Sequence, residues 1–215
     1  MKKIEIPVAK EGVPFIFLAA FVTLIAAILE LIIVAGVGLC LTAFILYFFR
    51  DPERVAPEDD DALVAPADGK VILVEKVFDD RFVGEHVLKV SIFMNVFNVH
   101  VNRMPFPGTV KSITYKAGRF YAADKDRAAL ENECCTVTMV TKNDLTYAVS
   151  QVAGLVARRI VCWAERGDEF GKGQRFGLIR FGSRVDLYLP LQTHLEIQVG
   201  QKTRAGETVL GYLNS

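Results

Sequence analysis

The chain has 215 residues, room for one ordinary domain and a short appendage, and 52% of them are hydrophobic. Its 25 basic and 25 acidic side chains cancel, which excludes a nucleic-acid binder working through a basic surface. Four cysteines without C-x-x-C spacing and three scattered histidines exclude a zinc site and favour reduced packing thiols, with Cys134 and Cys135 on opposite faces of one strand.

The hydrophobic excess lies before residue 50. Residues 13–49 carry one charge, Glu30. A single helix of that length would run about 55 Å, against a bilayer core of roughly 30 Å. Splitting at Glu30 gives two helices, 13–29 and 31–49, and predicts a transmembrane helical hairpin over 1–50. Lys2, Lys3 and Lys10 precede it and Arg50 and Arg54 follow, so both ends belong on the cytoplasmic side. The apolar stretch is too long for a cleaved signal peptide, and Tyr47, Phe48 and Phe49 make a poor cleavage site.

Residues 51–63 form an acidic linker; its first part, 51–61, holds two prolines and six acidic residues. Beyond it, β-branched apolar runs alternate with Gly, Asn and Asp turns. The runs fall at 71–77, 87–93, 109–115, 135–141, 145–152, 155–162, 177–181, 185–189, 195–199 and 208–213. This spacing predicts an all-β domain over 64–215. One helix or structured loop is expected over 122–133. The segments 65–71 and 199–209 echo each other in their turn glycines and following valines. The echo resembles the barrel-sandwich hybrid of biotinyl and lipoyl domains, which speaks to fold more than function.

Gly182-Ser183 alone is an ordinary turn pair. It stands, however, at the end of Gly171-Lys-Gly-Gln-Arg-Phe-Gly-Leu-Ile-Arg-Phe-Gly-Ser183. That stretch resembles the cleavage region of the phosphatidylserine decarboxylase proenzyme family, in its short bacterial and archaeal form. Pro66-Ala-Asp-Gly69 resembles the family's early motif. Phe97-Asn-Val-His-Val-Asn-Arg103, followed by Met104 and Pro105, resembles its central one. The three motifs keep the family's order from about residue 50 onward.

The resemblance implies self-cleavage between Gly182 and Ser183 into a β chain, 1–182, and an α chain, 183–215. Ser183 would become a covalent pyruvoyl group, which forms a Schiff base with the serine headgroup of phosphatidylserine and releases CO2 to leave phosphatidylethanolamine. Chemistry agrees: the hydroxyl must attack the carbonyl of its own preceding peptide, and a glycine there leaves room for the tetrahedral geometry. A ketone serves as the electron sink that pyridoxal phosphate provides elsewhere. His100 is the candidate base and proton donor. Asp68 is the candidate to orient it. Longer bacterial relatives carry a second histidine where this chain has Arg103. Arg103 is therefore the candidate to hold a phosphate or carboxylate. His86 and His194 are read as structural.

The expected partners are phosphatidylserine in the cell membrane and the two cleavage products held as a heterodimer, with a higher oligomer possible; no nucleic acid and no metal are expected. A pyruvoyl decarboxylase of soluble amino acids would have no use for the anchor. A non-enzymatic carrier module would need a lysine at a hairpin tip, and Lys70 is the nearest match.

Overall fold

The computed structural model describes residues 7–121, 123, 131–154, 159–180 and 182–213. It comprises two compact units, Met1–Glu53 and Arg54–Ser215.

In the first unit a short 3-10 turn, Lys10–Gly12, leads into α1 (Val13–Ile28), and α2 (Ile32–Phe48) follows. Pro14 occupies the first turn of α1, where its missing N–H costs nothing. The chain reverses at Glu30, which takes a left-handed φ of 56°. The ends close again where Ala9 N donates to Phe49 O at 2.8 Å and Asp51 N to Pro7 O at 2.8 Å. Midway, the Thr23 and Thr42 hydroxyls lie 3.4 Å apart. Each hydroxyl also back-bonds one turn up its own helix, to Ala19 O and Gly38 O, so neither leaves a polar group unsatisfied in an apolar surface. Phe17, Ile32 and Ile33 are among many exposed apolar side chains. The segment Lys10–Ile28 is long and apolar enough to cross a membrane, and α2 is slightly shorter.

The second unit is almost entirely β. Its strands are β1 (Ala62–Val64), β2 (Gly69–Asp79), β3 (Glu85–Met94), β4 (Val101–Arg103), β5 (Gly108–Lys116), β6 (Cys134–Val140) and β7 (Thr146–Ala153). They continue with β8 (Ile160–Cys162), β9 (Glu169–Phe170), β10 (Arg175–Ile179), β11 (Ser183–Pro190), β12 (His194–Leu195), β13 (Lys202–Thr203) and β14 (Val209–Tyr212). Eight form one sheet in the order β13-β2-β3-β11-β7-β6-β5-β9. Two three-stranded sheets, β4-β10-β8 and β1-β14-β12, complete the fold. β11 is central, antiparallel to β3 on one side and β7 on the other. Its odd residues, Val185, Leu187 and Leu189, enter the core with Val90, Ile92, Val149, Phe176 and Ile179. Period-two alternation sends Arg184, Asp186 and Tyr188 to the other face.

Several expectations change. The strand expected over 195–199 shortens to His194–Leu195, because Gln198 and Gln201 close a turn: Gln201 N donates to Gln198 O at 3.2 Å and Gln198 N to Gln201 Oε1 at 3.3 Å. The acidic linker is largely tied down. Arg54 pairs with Asp68 and Glu207, Lys172 donates to the Asp59 carbonyl, and Ala62 already starts a strand. Lys70 lies within β2 opposite Phe93 and Lys202, away from any hairpin tip. The element expected over 122–133 lies outside the described residues apart from Ala123 and 131–133, as do residues 155–158 of the run at 155–162 and Phe181 of the run at 177–181.

Candidate active site

Ser183 opens β11, fully buried, opposite Met94 of β3 and Ala153 of β7. Gly182 before it has φ +58°, a left-handed angle that favours glycine. The Gly182–Ser183 peptide therefore joins a sharp turn to a strand held on both edges. On the core face the Ser183 hydroxyl donates to Met94 Sδ at 3.4 Å. A thioether is a weak acceptor, so the oxygen is oriented without being tied into a strong bond.

A polar chain continues from there through the apolar core. Asn102 Nδ2 donates to the same Met94 sulfur at 3.6 Å, and Gln151 Nε2 donates to Asn102 Oδ1 at 2.9 Å. Both amides are fully buried. β4 carries Asn102 and pairs with β10, placing Asn102 opposite Gly177. Sequence reasoning missed Asn102, Gln151 and Met94. The available signals were modest: Asn102 lies two residues from His100 in one motif, and Gln151 is an amide inside an apolar strand run.

His100, just before β4, is fully buried. Its Nδ1 lies 2.9 Å from the Asn98 carbonyl oxygen. A carbonyl only accepts, so Nδ1 carries a proton in this bond. Asn98 is itself set by a turn in which Asn95 N donates to Asn98 Oδ1 at 2.9 Å and Asn98 N donates to Asn95 O at 3.1 Å. The His100 carbonyl accepts from Ile179 N at 3.3 Å, which ties the histidine's backbone to the strand leading into Gly182.

Asp68 and Arg103 are each held by bonds to distant parts of the domain. Asp68 bonds the Arg54 guanidinium at 3.1 Å and accepts from Ala205 N at 2.7 Å, and these bonds do not include His100. Arg103 is buried, donates from its guanidinium to Gly173 O at 2.9 Å, and donates from its backbone N to Pro66 O at 2.9 Å. Arg103 thereby joins the three sequence motifs: it ends the central one, holds the early one and braces the turn that starts the cleavage region.

Beneath Ser183, on the opposite face of β11, Arg184 and Asp186 form a bidentate ion pair at 2.7 and 2.8 Å. Both are almost fully buried, and Asp186 stands opposite Ser91 and Ser150 in the flanking strands. Further along the domain, the Cys135 thiol donates to Cys162 and draws Cys162 below the ordinary thiol range, whereas burial pushes Cys134 up.

A sequence model of the family described as phosphatidylserine decarboxylase matches residues 41–211. A protein of Desulfotalea psychrophila named phosphatidylserine decarboxylase proenzyme is 56% identical over 209 residues, covering 97% of this chain and 98% of that one. Proteins of the same name from Geobacter sp. strain M21 and Geobacter sulfurreducens are 49% and 48% identical, each covering 99% of this chain and 100% of its own length. The motif order, the buried serine after a left-handed glycine and these likenesses agree: the chain belongs to the phosphatidylserine decarboxylase family.

Proposed function

We propose that this chain is made as a proenzyme that cuts itself between Gly182 and Ser183, and that Ser183 thereby yields the pyruvoyl group of a phosphatidylserine decarboxylase. The observation that carries this reading is the setting of Ser183. It is buried, follows a glycine at φ +58°, and is pinned in register between β3 and β7 with its hydroxyl on a weak acceptor. These residues fit the group: a strand start held on both edges would keep a new N-terminus in place after the cut, and the buried surroundings exclude water. When formed, the pyruvoyl group supplies the electrophilic carbonyl and electron sink for loss of CO2 from the serine headgroup.

The protein's own residues take the remaining tasks. His100 Nε2 is assigned the Ser183 hydroxyl proton and a later proton donation. Asp68 and Arg103 are assigned as positioning residues. Their bonds to Arg54, Ala205, Pro66 and Gly173 support a brace for the motif loops. The headgroup-binding role expected of Arg103 would draw on guanidinium N–H groups beyond the one given to the Gly173 carbonyl.

The apolar helices are proposed to cross the bilayer as a hairpin with the catalytic domain on the cytoplasmic side, which keeps the enzyme at the surface holding its lipid substrate. The two cleavage products are proposed to remain together as a heterodimer, since β11 would keep its hydrogen bonds to β3 and β7. The β domain is proposed to be a relative of the barrel-sandwich hybrid, on the echo between 65–71 and 199–209.

Intact mass and a denaturing gel on the purified chain test the central claim. The expected result is a small fragment, residues 183–215, with a blocked N-terminus. Ser183→Ala should stay whole, and borohydride with phosphatidylserine should leave an adduct on the small fragment alone. A wild-type chain that remains uncut after long incubation would overturn the reading.

A further inference from the structure

The scissile carbonyl occupies the place where a side chain of residue 154 would be. A Cβ built on Gly154 would lie 2.1 Å from the Gly182 carbonyl oxygen and 3.0 Å from its carbon. Real carbon atoms do not approach an oxygen so closely, so any side chain at 154 must displace that carbonyl or itself. Gly154 is not among the glycines with positive φ; contact, and not backbone angle, is what demands glycine here. The reason lies in register. Ala153, the last residue of β7, is paired with Ser183, so the next residue of the chain meets the residue before Ser183.

The seat is held from behind. Asn132 is buried, and its Nδ2 donates to Ala153 O at 2.7 Å and to Tyr121 O at 2.8 Å. Its Oδ1 accepts from Tyr121 N at 2.8 Å, and Ala153 N donates to Glu133 O at 2.9 Å. Both sides of Ala153 are thus fixed, including the peptide plane it shares with Gly154.

We propose that Gly154, held by Asn132, is a positioning residue for self-cleavage: it seats the Gly182 carbonyl for attack by Ser183 Oγ. The proposal rests on the self-cleavage reading above. In that reaction Oγ bonds to the Gly182 carbonyl carbon and gives its proton to a base. The Ser183 nitrogen then leaves that carbon and takes up a proton, which leaves an ester. Loss of the Ser183 Cα proton expels Oγ with Gly182 as a carboxylate, and water converts the resulting dehydroalanine to the pyruvoyl group and ammonia. Gly154 acts on the first step, where the carbonyl must be aligned with the hydroxyl.

Full-length Gly154→Ala is compared with wild type and with Ser183→Ala as the folded, uncut reference. Each is followed by intact mass with and without neutral hydroxylamine, which splits an ester and speeds the cut wherever one accumulates. The expected result is cleavage slowed by about a hundredfold, the scale of an ångström's misplacement, with no hydroxylamine-sensitive fraction and a melting temperature close to that of Ser183→Ala. Cleavage within about twofold of wild type would overturn the proposal. So would slow cleavage with a hydroxylamine-sensitive ester, because the seat would then act after ester formation. If Gly154→Ala fails to fold, Asn132→Ala decides by the same readings, since it loosens the seat without filling it. A wild-type chain that never cuts removes both readings; normal cutting by the variants removes only this one.

Discussion

Ser183 Oγ lies 3.4 Å from Met94 Sδ, with both side chains wholly out of water. In the proposed self-cleavage, the nucleophile is thereby aimed by an acceptor weak enough to release it. Met94→Leu conserves volume and is expected to cost less than about 1.5 kcal/mol of stability. It removes the acceptor, so the hydroxyl loses its fixed direction. Cleavage should slow by about tenfold, equivalent to 1.4 kcal/mol of activation free energy. A mass time course with a melting curve checks this; unchanged cleavage would deny the thioether any part.

His100 Nδ1 is engaged by the Asn98 carbonyl, and Nε2 is the nitrogen assigned to proton transfer in the proposed reaction. His100→Ala should slow cleavage, turnover or both by about a hundredfold or more, the usual contribution of general acid–base catalysis. The cleavage time course is read first, and CO2 release per pyruvoyl group in whatever fraction is processed second. Wild-type behaviour in both assays removes His100 from the site.

The Arg184–Asp186 pair makes a stability prediction. Arg184→Met leaves Asp186 buried without its cation and should cost about 3–5 kcal/mol. Arg184→Met with Asp186→Leu should recover most of that loss, because no uncompensated charge remains. Urea unfolding in a Ser183→Ala background, where the chain stays whole, measures both. A double variant as unstable as the single one would contradict this account.

Cys162 makes a pH prediction. The thiol of Cys135 donates to Cys162 and lowers its pKa, so the thiolate is populated above that lowered value and lost as pH falls through it. Alkylation by iodoacetamide at neutral pH should modify Cys162 ahead of buried Cys134, whose pKa burial raises. Cys135→Ala should shift the alkylation profile of Cys162 toward higher pH. Peptide mapping across pH reads the result, and an unshifted profile would remove Cys135 as the cause.

Most strands were legible in the sequence because apolar β-branched runs and turn residues act locally. β2, β3, β5, β6 and β7 fall close to the expected runs. The short strand β4 was not visible as a strand, since its three residues sit inside a motif whose polar members Asn102 and Arg103 are buried only by partners far along the chain. The turn at 198–201 was misread as strand for a related reason: its glutamine side chain competes for the backbone hydrogen bond.

Among the proposed site residues, the sequence by itself pointed to Gly182 and Ser183, because the proposed chemistry belongs to one peptide bond and the two residues flanking it. It also determined that an apolar segment precedes the domain, since uninterrupted hydrophobicity needs no tertiary context to be read. Only the tertiary structure decided what surrounds that bond. Met94 and Gly154 reach it from a strand and a strand end far apart in sequence, and Asn102 and Gln151 stand behind Met94 in a chain of hydrogen bonds. It also turned Asp68 and Arg103 toward Arg54, Ala205 and Gly173, because a buried charge goes to the hydrogen-bonding groups that folding places beside it.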